Sequence, residues 1–164
     1  MKYYVGIDYS ITGPCLTLYP ENGAFTSFFL TGLKKFQKDF GRFSGEAHKP
    51  YSCPEERFDN IAEFFLDQIE TVAMFHGEIG GICIEDYAFA AKGKVFHIGE
   101  NMGILKSKLW QKGFQFELIS PSALKKFATG KGNAKKDQMY DAFVEDTGQD
   151  LHKQSESVFV YAGE

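Results

Sequence analysis

Tyr4-Val5-Gly6-Ile7-Asp8 is a compact β-prone run that ends on a carboxylate, and Gly80-Gly81-Ile82-Cys83-Ile84 runs the same way into Glu85-Asp86. A carboxylate placed straight after an apolar run is costly unless it faces a mouth, a partner or a cation. Working outward from the first run, Cys15-Leu16-Thr17-Leu18-Tyr19 alternates, and Ala24 to Leu30 contains Phe25, Phe28 and Phe29. Gly13-Pro14 and Glu21-Asn22-Gly23 punctuate these segments, so three strands in consecutive antiparallel hairpins are predicted.

Residues 32–54 are polar and irregular, with Gly32, Gly41, Gly45 and Pro50, and read as a long loop or insertion. A helix follows. Ser52-Cys53-Pro54-Glu55 has the form of a capping box, with Ser52 capping and Glu55 reaching back. Phe58, Ile61, Ala62, Phe65, Ile69, Val72 and Ala73 then make one helical face ending near Gly77. Gly80 to Ile84 is read as a fourth, buried strand. A second helix covers about Val95 to Gln111, striped by Ile98, Met102, Leu105 and Leu109. Phe114 to Ile119 is a fifth strand, and short helices at about Pro121–Phe127 and Lys135–Thr147 flank Gly130-Lys131-Gly132-Asn133. Hairpins followed by βα units imply an α/β fold, a mixed five-stranded sheet with helices on both faces.

Composition narrows the class. The 164 residues are 43% hydrophobic and 16% aromatic, with 17 Phe, enough for one well-covered core and too little for two full domains. Residues 1–164 are therefore read as a single domain. Met1 to Gly6 has no signal-peptide core, and no apolar run reaches membrane-spanning length. Cys15, Cys53 and Cys83 are widely spaced without a CxxC, which speaks against a disulfide framework or a zinc knuckle and for a reducing cytoplasm.

The net charge of -4 hides an asymmetry. Lys92 to Lys136 contains ten lysines against only Glu100 and Glu117, a local +8, so the rest of the chain carries -12. Such a field gathers a polyanion onto one side of a molecule, although a lysine-rich face can also be merely solvated. Asp8 and Glu85, at the ends of neighbouring strands, could face each other closely enough to require a neutralising cation, and hard oxygen donors suit Mg²⁺ or Mn²⁺. Taken singly, either acid could be a simple turn residue.

With these residues in view, the chain resembles the RuvC-type Holliday junction resolvases, which have the ribonuclease H-like fold. The resemblance rests on Gly6-Ile7-Asp8, on Ile84-Glu85-Asp86-Tyr87-Ala88-Phe89, and on the proline-started, lysine-bearing stretch Ser120-Pro121 to Lys135-Lys136, and it covers about residues 3–147. The longer early loop is similar to that of the phage branch. The resemblance implies a metal-dependent endonuclease acting on branched DNA as a homodimer, away from any membrane. It gives Asp8 and Glu85 as metal-binding, catalytic carboxylates, and Lys125 and Lys136 as lysines near the scissile strand. Phe89, or Tyr87, becomes the aromatic at the junction centre. Lys92, Lys94, Lys131 and Lys135 join Lys136 as contacts to DNA phosphate.

The C-terminal end departs from the family pattern. The chain runs from His152 through Glu156 to Glu164 without the expected Asp-x-x-Asp, and the last helix would be cut to about two turns. Glu156 is the best positional substitute for the third metal ligand, Asp150 the second, and His152 reads as exposed. Two rivals are weighed. A catalytically incomplete branched-DNA-binding or regulatory protein would keep the fold and lysine face without a full metal site. Gly6-Ile7-Asp8-Tyr9-Ser10-Ile11-Thr12-Gly13 also resembles the phosphate hairpin of actin-like sugar kinases, but that group needs two domains closing on ATP. Gly130-x-Gly132 lacks the Walker spacing.

Overall fold

The computed structural model describes residues 1–87 and 95–154. In chain order the strands are β1 (Lys2–Asp8), β2 (Cys15–Pro20), β3 (Thr26–Leu30), β4 (Asp39–Phe40), β5 (Phe43–Glu46), β6 (Glu78–Glu85) and β7 (Glu117–Ile119). The helices are α1 (Pro54–Phe75), α2 (Val95–Gln111), α3 (Pro121–Thr129) and α4 (Lys136–Thr147). Internal contacts separate two compact units, Met1–Leu118 and Ile119–Glu164.

The first unit is organised by strand periodicity. Successive side chains on a strand point to opposite faces, so Val5 and Ile7 of β1 and Leu16 and Leu18 of β2 enter the core together. β1 pairs antiparallel with β2, and β2 with β3, as the hairpin signals predict. α1 then carries the chain across so that β6 lies parallel to β1 on its other side, since parallel neighbours need a crossover. Val5↔Ile82 and Ile7↔Ile84 are in register, which extends the apolar face. Ile61, Phe65 and Ile69 of α1 and Met102, Leu105 and Leu109 of α2 cover it in one cluster. Burying such side chains is worth roughly 25 cal/mol per Å² of apolar surface, the main term holding this layer.

Several expectations need correction. The sheet has seven strands in the order β4-β5-β3-β2-β1-β6-β7, not five. The extra two lie inside the segment read as an irregular loop. Phe40 and Phe43 are buried there, with Phe43 edge-on to Phe25 at 5.8 Å and Phe40 edge-on to Phe29 at 6.0 Å. Gly45 is required by close approach, because a Cβ there would lie 1.9 Å from the carbonyl oxygen of Phe36. Of the glycines that suggested a loop, Gly45 thus marks tight packing, while Gly41 makes the turn between β4 and β5 at φ 61°. β6 is only half-buried, with Ile82 and Ile84 inside and Cys83 outside, because its second face lies off the α1–α2 core. β7 pairs over Glu117–Ile119 only.

The cap of α1 is also shifted. Cys53 is the N-cap residue and Pro54 begins the helix, while Glu56, not Glu55, accepts the Ser52 N–H and hydroxyl, both at 2.6 Å. One helical turn places Glu56 beneath Ser52 once proline holds the first position. The α1 face is as predicted except for Ala73, which is exposed, and Phe64 and Leu66 are buried besides.

The second unit is built from α3 and α4. Ser120 caps α3 by accepting the Ala123 N–H at 3.3 Å, and Gly130 ends the helix at φ 75°, where a side chain would be strained. Lys135 starts α4 by donating its N–H to Gln138 Oε1 at 3.0 Å.

Candidate functional site

Asp8 and Glu85 close adjacent parallel strands. The last register pair is Ile7↔Ile84, and each strand runs one residue further, to Asp8 on β1 and Glu85 on β6. Ile7 and Ile84 point into the core, so the next residue on each strand points out of the opposite face. Neighbouring strands lie about 4.8 Å apart, so the two carboxylates share one end of the sheet and one face. Asp8 is exposed and Glu85 half-buried.

A third side chain joins this face from β2. Cys15 is the direct cross-strand partner of Asp8. Burial, and then the nearby Asp8 charge, push its thiol up to about 11 from the ordinary 9.0, so at neutral pH it stays protonated. The oxygen donors at this end of the sheet are the two carboxylates, which fit a hard divalent ion. Among the described residues no three His, Cys, Asp or Glu side chains are grouped to hold a metal. Glu156, expected as the third acid, lies outside the described residues.

The residue after Asp8 turns inward. Tyr9 is 5% exposed and stands edge-on to Phe65 at 5.4 Å, with its hydroxyl buried and without a hydrogen-bond partner among the described residues. The turn beyond it is tied from two sides: Arg57 Nη2 donates to the Ile11 carbonyl at 2.9 Å, and His48 Nε2 donates to that of Thr12 at 3.0 Å. Arg57 and His48 were not legible as site neighbours, because nothing in the local sequence links them to the turn.

Tyr87, two residues past Glu85, packs against the core cluster, and its N–H donates to Asp86 Oδ1 at 2.9 Å. Phe89, Lys92 and Lys94 lie outside the described residues.

The predicted lysines divide into two kinds. Lys108 of α2 is held between Asp59, at 2.9 Å, and Glu63 of α1, and Lys112 pairs with Glu70 at 2.6 Å. Their charge is spent within the first unit, so the local excess read from the sequence overstates what is free. Lys125, Lys126, Lys131, Lys135 and Lys136, on α3, the following loop and the start of α4, have no ion-pair partner among the described residues, and no acid lies between Pro121 and Lys136. Phe127 stands among them 89% exposed, an aromatic the sequence reading passed over although it sits within the lysine run.

Asp150, the second substitute ligand, is occupied in its own unit. Its Oδ1 accepts the Tyr140 hydroxyl at 2.9 Å and the N–H groups of His152 and Lys153 at 3.1 and 3.2 Å. The Lys153 N–H first, and then Tyr140, hold its carboxyl below the usual range. It caps the short helical stretch 151–154. The His152 ring is edge-on to Tyr140 at 5.1 Å.

No family profile matches this chain, and no curated protein matches it. Solved structures do. The chain is similar to the Thermus thermophilus RuvC structure, with 19% identity over 89% of this chain and 80% of that one, at a TM-score of 0.57. It is similar to T. thermophilus RuvC in complex with a Holliday junction substrate, with 20% identity over 90% and 81% and a TM-score of 0.60. A match to the yeast mitochondrial Holliday junction resolvase Ydc2, 13% identical over 88% and 77%, has a TM-score of 0.38. At these identities the two RuvC structures show a shared fold, a mixed α/β sheet of ribonuclease H-like type.

Proposed function

We propose that this chain is a divalent-metal-dependent endonuclease that cleaves branched DNA such as four-way junctions. The observation that carries the reading is the pairing of Asp8 and Glu85 at one end of parallel neighbours β1 and β6. Two acids so placed repel unless a cation lies between them. They would hold Mg²⁺ or Mn²⁺, with Glu156 as the third ligand. When bound, such ions activate water and stabilise the leaving oxygen of an in-line displacement at phosphorus.

The chain's own groups supply the rest. Lys125, Lys131, Lys135 and Lys136 neutralise phosphate, with Lys125 and Lys136 nearest the scissile strand and Lys92 and Lys94 extending the contact. Phe89, with Tyr87 as its alternate, stacks at the junction centre. The likeness of fold to a protein solved with a Holliday junction substrate supports branched DNA as the ligand. A four-way junction has two-fold symmetry, which suits a homodimer of this single nuclease domain in the cytoplasm. The long segment between β3 and α1 supports the phage-type branch.

The test is incubation with labelled four-way, three-way and linear duplex DNA, with and without Mg²⁺ or Mn²⁺. Metal-dependent cleavage confined to branched substrates is the expected result. Tight, branch-selective binding without cleavage under either metal would overturn the nuclease and leave the catalytically incomplete binder.

A further inference from the structure

Beside the turn that follows Asp8 lies a cavity of about 360 Å³. Ile11 and Thr12 form one side, and Tyr51, Arg57, Phe58 and His97 form much of the remainder. Ile11 is three residues beyond Asp8, which bounds its distance along the chain at about 10 Å. The walls are aromatic. The Arg57 guanidinium lies 5.1 Å from the centre of the Tyr51 ring, and the Phe58 and His97 rings are 6.3 Å apart. Arg57 is also pinned by its bond to the Ile11 carbonyl, so a cationic donor group is held against an aromatic face.

We propose that this cavity takes one unpaired nucleobase of the DNA, stacked on Tyr51 and next to the Asp8–Glu85 pair; the inference rests on the branched-DNA reading above. Charge selects a base over a phosphate. Glu55 and Glu56 begin the helix at the cavity's edge, and Glu100 faces His97 Nδ1 at 3.1 Å. An added anion would meet these acids, whereas a flat neutral ring meets apolar walls and one arginine able to serve its ring and carbonyl acceptors. Tyr51 is 48% exposed, so its ring is reachable without unfolding anything.

The cavity carries its own reporter. Cys53 lines it and is an exposed free thiol. Alkylation of Cys53, resolved from Cys15 and Cys83 by peptide mass spectrometry, should slow at least fivefold when the protein is saturated with a four-way junction in the absence of divalent metal. Abasic sites should then be walked through the nucleotides flanking the branch, each tested against wild type, Tyr51→Ala and Tyr51→Phe. At one position the abasic site and Tyr51→Ala should each weaken binding about tenfold and together no more than either alone, while Tyr51→Phe retains wild-type affinity. Additive losses at every position, or unchanged Cys53 alkylation on a junction-bound protein, would overturn the pocket and leave the nuclease reading standing. A wild-type chain that binds no junction would overturn both.

Discussion

Cys15 stands directly across the β1–β2 pair from Asp8, on the face of the sheet that also carries Glu85. In an antiparallel pair, opposed side chains have Cβ atoms about 4.5–5.5 Å apart, so the thiol reports on the carboxylate. The thiol is pushed up to about 11 from 9.0 by burial first and by Asp8 second. The native state therefore keeps its proton while the unfolded chain loses it, and this site removes stability as pH rises from about 9 to about 11. Replacing Asp8 with Asn should lower the apparent pKa of Cys15, read from the pH dependence of iodoacetamide alkylation. An unmoved pKa would show that the two groups do not interact.

The paired acids make the sharpest functional prediction. Asp8→Asn and Glu85→Gln should each reduce Mg²⁺-dependent junction cleavage by at least a hundredfold, with junction affinity held within about threefold, because shape is kept and only charge is lost. Glu156→Gln should behave likewise if it completes the site. Full activity in Glu156→Gln would move the third ligand elsewhere.

Tyr9 offers a stability test free of the chemistry. Its hydroxyl is buried without a partner among the described residues, an arrangement that costs roughly 1–3 kcal/mol. Tyr9→Phe should therefore raise stability by about 1 kcal/mol, or Tm by roughly 3 °C, and leave cleavage unchanged. Phe65→Ala, which removes the fully buried ring Tyr9 packs against, should cost about 3–5 kcal/mol. A destabilised Tyr9→Phe in thermal melts would mean that the hydroxyl is satisfied in solution.

The lysines of the second unit should act through salt. Lys131, Lys135 and Lys136 changed together to Ala should weaken DNA binding and lower the slope of log K against log salt by nearly three, since each lost phosphate contact releases one fewer set of counterions. Phe127→Ala should instead lower affinity by about fivefold with the slope unchanged, because stacking carries no counterion term. Equal slopes for wild type and triple variant would place the DNA face elsewhere.

Much of this molecule is local. The alternation in Tyr4–Asp8 and Cys15–Tyr19, the apolar faces of α1 and α2, and the two strand-ending acids are set by the nearest few side chains, and the sequence alone determined them. Only tertiary structure decided the rest. The β1–β6 register that brings Asp8 beside Glu85 depends on hydrogen bonds between segments far apart in the chain. β4 and β5 read as loop because their glycines signal turns locally, and only the Phe25–Phe29–Phe40–Phe43 packing reveals the close approach that Gly45 permits. Charge followed the same rule: lysines count equally in a sequence, but Lys108 and Lys112 are neutralised by acids of α1, while Lys131, Lys135 and Lys136 find none among the described residues, because ion pairing depends on distance in space rather than along the chain.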